Sequence, residues 1–159
     1  MGSKYQRYKH ILVPLDGSEF AKRVLPDAFA LAHLNQAEVT LLQVIVPMEH
    51  RLDPDVLDPD YIADKEAELK VLSRKSLRRV WRESEDCTNL TVHTVAECGR
   101  PGETIIEYAH QHPIDLIVMA THGRSGLARW TRGSVADKVL RGADTPILLV
   151  RVHSNQRSD

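Results

Sequence analysis

Apolar residues fall along this chain in short unbroken runs separated by longer amphipathic stretches. Ile11-Leu12-Val13, the run VTLLQVIV from Val39 to Val46, Leu116-Ile117-Val118-Met119 and ILLVRV from Ile147 to Val152 have the length and continuity of strands buried on both faces. Leu90 to Ala96 alternates and predicts a further strand, third in chain order. Between the runs the apolar spacing switches to that of helices. Ser18 can cap a helix with Ala21, Val24, Leu25, Ala28 and Ala32 on one face, and Pro26 inside that pattern predicts a kink. Ile62, Leu69, Leu72, Leu77 and Val80 predict the inward stripe of a long second helix. Ile105, Ile106 and Ala109 follow the turn Gly99-Arg100-Pro101-Gly102, and Ser134 can cap a last helix through Val135, Ala136, Val139 and Leu140.

Strands alternating with helices predict an α/β fold: an open five-stranded, mostly parallel sheet with helices on both faces. If the first two connections run one way and the fourth strand returns to the other side of the first, the strand order is 3-2-1-4-5. In such a sheet ligands bind beyond the carboxyl ends of the strands, where the order reverses. The loops after strands one and four then form the crevice, and these carry Asp16 and the segment Gly123–Ser134. The second loop holds Gly123, Gly126 and Gly133 with Arg124, Arg129 and Arg132, and it runs into a helix start. Free amides, the helix dipole and arginines suit phosphates, while a carboxylate on the other wall suits a ribose hydroxyl or an amino group. The plainer alternative is a strand-to-helix loop with turn glycines. The segment matches neither the P-loop nor the dinucleotide fingerprint.

Composition narrows the picture without redirecting it. With 159 residues, 42% hydrophobic and 27% charged, the chain reads as one domain over 1–159 with a core of about residues 10–152. The net charge of −1 gives no pull toward nucleic acid or an anionic membrane, and neither is expected as a partner. No apolar run is long enough to span a bilayer, the first residues lack a signal-peptide core, and Cys87 and Cys98 form no CxxC pair. A cytoplasmic protein with reduced cysteines is the expectation. Asp53, Asp55, Asp58, Asp60 and Asp64 lack the EF-hand spacing and its central glycine, so the acidic stretch reads as a solvated loop, with no metal site expected. The outer face of the second helix carries Lys70, Arg74, Lys75, Arg78, Arg79 and Arg82, diluted by Glu66, Glu68 and Glu83. No arrangement of Ser, His and Asp or of Cys and His suggests a catalytic group.

The segments ILVPLDGS, LLQVIV, DLIVMATHGRSGL and RGSVADKVLRGADTPILLVR together resemble the universal stress protein family, and the similarity extends from about His10 to Val152. The ATP-binding branch of that family shows a glycine, two residues, a glycine, nine residues, a glycine and then Ser or Thr. Gly123, Gly133 and Ser134 match the later positions here, and Ala120 stands at the first. The resemblance implies a Rossmann-like fold akin to adenine nucleotide alpha hydrolases, with ATP as ligand and Mg2+ as its accompanying ion. By matching positions it implies that Asp16 and the backbone at Pro14 and Leu15 contact adenosine, with Val44 beside the adenine. Met119 and Ala120 would border the ribose and phosphates, and Gly123, Gly133, Ser134 and Val135 would hold the phosphate chain. Arg124 is added because its charge lies beside that motif. The family implies a homodimer, often through the last strand, acting in stress response. Slow ATP hydrolysis or phosphoryl transfer, and a nucleotide-free dimeric interaction module, are the alternatives.

Overall fold

Five parallel strands in the order β3-β2-β1-β4-β5 form the sheet of this computed structural model, which describes residues 8–47, 58–84, 89–122 and 135–152. The strands are β1 (His10–Pro14), β2 (Glu38–Ile45), β3 (Val92–Cys98), β4 (Leu116–His122) and β5 (Ile147–Val152). The helices are α1 (Glu19–Lys22), α2 (Leu25–Asn35), α3 (Pro59–Glu83), α4 (Pro101–Gln111) and α5 (Val135–Gly142). The expected strand order is the observed one, and helices cover both faces.

Successive residues of a strand face opposite sides, so the sheet feeds two cores. Ile11, Val13, Val39, Leu41 and Val118 pack on one side against Ala28, Phe29, Leu77 and Val80 of α2 and α3. Leu12, Leu42, Ile117 and Met119 pack on the other against Ile105, Ala109 and Val139 of α4 and α5. Leu116 to Met119, expected to be buried on both faces, are all buried. Thr40 is the buried polar side chain among the described core residues, and its hydroxyl meets Nε2 of His10 at 2.7 Å.

Three local expectations are corrected. The pattern containing Pro26 is two helices, not one kinked helix. Bonds from Arg23 to Phe20 and from Val24 to Ala21 tighten the chain after α1, and Pro26 then lies in the first turn of α2, where its missing amide costs no helical bond. Leu69 and Leu72 are exposed rather than inward. Between the buried Ile62 and Leu77 the side of α3 turned to the sheet carries half-buried Glu66, Lys70 and Ser73, and Lys70 donates to Glu97 of β3 at 3.1 Å. The third strand begins at Val92, because its ladder with β2 runs from Val39↔Val92 to Ile45↔Cys98, while Leu90 packs against the core before it. Asp58 of the acidic stretch caps α3 by accepting the Asp60 amide at 3.0 Å, and Pro59 occupies the first turn.

Candidate functional site

The site begins where β1 parts from β4. These strands pair only at Ile11↔Leu116 and Leu12↔Ile117, whereas β1 stays paired with β2 through Pro14↔Leu42. The Leu15 amide donates to the Leu42 carbonyl at 2.8 Å, so residue 15 points its backbone at β2 and residue 14 faces β4. Residue 14 is proline and has no donor to give on that side. The ladder therefore opens at the switch point of the strand order.

A cavity of about 260 Å³ fills the opening. The end of β1 supplies Pro14, Leu15 and Asp16, β2 supplies Leu42 and Val44, and β4 supplies Met119 and Ala120. The first turns of three helices close it: Phe20 and Ala21 from α1, Pro101 and Ile105 from α4, and Val135 and Ala136 from α5. Seven residues expected at the site, Pro14, Leu15, Asp16, Val44, Met119, Ala120 and Val135, thus share one cavity although they come from four separate stretches. Gly123, Arg124, Gly133 and Ser134 lie outside the described residues. Phe20, Ala21, Leu42, Pro101, Ile105 and Ala136 also line the cavity and were missed. A readable signal existed for two of them, because Pro101 follows the third strand and starts a helix, and the first turn of such a helix must lie at the carboxyl end of the sheet.

The lining is apolar except for the Asp16 carboxylate. Oδ1 of Asp16 accepts the Ser18 amide at 2.9 Å and the Ser18 hydroxyl at 2.5 Å, and the turn between them needs Gly17 at φ +86°. This pocket suits a flat apolar ring with a hydrogen-bond donor on one side. No cluster of three His, Cys, Asp or Glu able to hold a metal occurs among the described residues. Burial pushes the Cys98 thiol at the end of β3 above its ordinary range, the reverse of an activated nucleophile. No helix among the described residues is long and apolar enough to cross a membrane.

His110 meets Asp144 at 3.0 Å, and His112 stacks on Tyr108 with ring centroids 3.8 Å apart.

Comparison with known proteins gives the same frame. The chain is 32% identical to universal stress protein MJ0531 of Methanocaldococcus jannaschii over 144 residues, covering 91% of this chain and 82% of that protein. The solved structure of MJ0577, from the same organism, superposes with a TM-score of 0.75 at 29% identity, covering 94% of this chain and 99% of that one. A universal stress protein crystallised in complex with cAMP has the same fold, with a TM-score of 0.65 at 22% identity over 91% of this chain and 98% of that one. The model of the universal stress protein family matches residues 7–151, and this chain belongs to that family.

Proposed function

We propose that this protein binds an adenine nucleotide, ATP, in the cavity between β1 and β4, and that it works as a cytoplasmic, dimeric stress-response regulator. The observation that carries this reading is the convergence of Pro14, Leu15, Asp16, Val44, Met119, Ala120 and Val135 on one cavity at the switch point. Those positions come from four separate stretches of the chain. In this reading the base lies against Val44 and Leu42, and the sugar offers a hydroxyl to Asp16. The phosphates leave past Ala120 toward the first turn of α5, whose amides and dipole favour negative charge. Gly123, Arg124, Gly133 and Ser134 complete the phosphate end, with Mg2+ arriving on the nucleotide. The cAMP complex of a protein with this fold supports the capacity of the architecture, and the lining supports the choice here.

Denaturing the purified protein and identifying released nucleotide by mass, followed by calorimetric titration of the emptied protein with ATP, tests the reading. Release of adenine nucleotide and saturable binding are expected. Asp16→Ala should weaken that binding by about 1–3 kcal/mol, because a buried ligand donor loses its charged acceptor. A protein that carries no nucleotide and takes up no ATP removes the proposal and leaves an interaction module.

A further inference from the structure

Asp16 lies on the wall of the cavity, on an exposed turn, and forms no salt bridge among the described residues, so its carboxylate is set by hydrogen bonds. Ser18 is placed to do so. Its hydroxyl accepts the Ala21 amide at 3.1 Å as the cap of α1, and the same oxygen lies 2.5 Å from Oδ1 of Asp16. A hydroxyl has one proton and two lone pairs. The Ala21 amide is a donor, so it occupies a lone pair, and the single proton points at the carboxylate. The direction of the short bond is thereby fixed. With the Ser18 amide added at 2.9 Å, Oδ1 is held by two donors from one residue.

We propose that Ser18 is a positioning residue for the ligand: it anchors Oδ1 of Asp16 and leaves Oδ2 as the acceptor presented to a sugar hydroxyl or amine of the bound nucleotide. This rests on the reading of the cavity as an adenine-nucleotide site. Among the described residues no partner takes Oδ2, while both bonds to Oδ1 come from the protein side. One oxygen is spent on structure and the other is available for recognition. The Ala21 contact ties this arrangement to the first turn of α1, which also lines the cavity through Phe20 and Ala21. Carboxylate and wall therefore move as one unit, and the ligand donor meets an acceptor already oriented.

A double-mutant cycle with ATP as the probe tests this, using wild type, Ser18→Ala, Asp16→Ala and the pair, each titrated by calorimetry after its thermal unfolding has been recorded. Ser18→Ala is expected to weaken ATP about tenfold in the wild-type background and to have no further effect once Asp16 is alanine. Ser18→Thr keeps the hydroxyl with both its roles and should restore wild-type affinity. Ser18→Ala binding as well as wild type overturns the inference while leaving the nucleotide site standing. Equal losses in both backgrounds also overturn it, since Ser18 would then act only through the helix cap. Failure of the wild-type protein to bind ATP overturns the underlying reading as well. If Ser18→Ala does not fold, the comparison of Ser18→Thr with Ser18→Asp decides. The aspartate keeps the cap acceptor but has no proton to donate, so it should fold yet bind weakly. Wild-type affinity in Ser18→Asp overturns the inference.

Discussion

Gly102 and Lys138 touch so closely that a Cβ on the glycine would stand 2.6 Å from Cγ and 2.8 Å from Cβ of the lysine. The contact joins the first turn of α4 to α5, two helices that both reach the cavity through Pro101, Ile105, Val135 and Ala136. The stem atoms nearest the backbone are involved, so the lysine cannot simply swing aside. Gly102→Ala should therefore push α5 outward and destabilise the protein by about 1–3 kcal/mol through overpacking. Urea midpoints of the two proteins check this, and a variant as stable as wild type would show that the helices yield without cost.

Ala120 gives a second expectation at the same site. It is half-buried on the wall of the opening between β1 and β4, and stands where the family pattern has glycine. Ala120→Val adds two methyl groups with good strand propensity, so stability should hold while ATP affinity falls about tenfold by crowding. Ala120→Gly should bind ATP at least as well as wild type and be less stable by about 0.5–1 kcal/mol. Titration with ATP and denaturant unfolding of all three proteins separate the two effects. Equal affinity in the valine variant would move the ligand away from β4.

Much of this site was legible because strand order and cavity follow from one rule. Alternating elements imply right-handed parallel crossovers, those fix the switch point, and the switch point names the loops that must meet. The loop carrying Asp16 could be paired with the loop after the fourth strand on that ground, while Ala120 entered through the family resemblance, 103 residues lying between it and Asp16. What stayed hidden depends on tertiary packing. The periodicity of Ala21, Val24, Leu25 and Ala28 runs through a break in the helix, since one tight turn barely rotates the apolar face. Leu69 and Leu72 have core chemistry but are exposed at mid-helix, where half-buried Lys70 and Ser73 take the side turned to the sheet. Phe20 and Ala136 reach the cavity only through the placement of α1 and α5, which periodicity does not specify.

The end of the sheet opposite the cavity carries a pH expectation. Burial depresses His10, outweighing Glu38 and Asp115, which favour its protonation, while His93 and His112 oppose it. Its ring keeps the buried Thr40 hydroxyl satisfied. A histidine held below its ordinary value of 6.5 stabilises the fold above that pH, and the contribution is lost as pH falls through the depressed value. Glu38 is lowered chiefly by its hydrogen bond with His93, so its contribution disappears further down, in the carboxylate range. Unfolding midpoints measured from about pH 7.5 down to about pH 5 should fall for wild type and stay flatter for His10→Gln. Parallel curves would remove His10 as the source.

The last prediction concerns assembly. β5 is the outermost strand on its side and pairs only with β4 among the described residues, from Ile117↔Ile147 to His122↔Val152. A free edge presents unpaired amides and carbonyls, which proteins blunt or cover with another chain. Within the run only Arg151 carries a charge, and Leu148 is exposed. Antiparallel pairing of β5 with its copy about a two-fold axis would satisfy both edges by one self-complementary contact. The register decides which substitution tests it. The Ile117 amide donates to the Pro146 carbonyl at 2.9 Å, so even-numbered residues of β5 face β4, and Leu149 and Arg151 face the free edge. Arg151→Pro then removes an outward donor and no core side chain, because Arg151 is exposed. The expected result is a wild-type dimer in light scattering at micromolar concentration, a monomeric Arg151→Pro of nearly unchanged stability, and a dimeric Arg151→Ala. Val150→Pro, whose lost amide faces β4, should instead lower stability by breaking the internal ladder. A wild-type monomer would sink the assembly, and a dimeric Arg151→Pro would move the interface to another face.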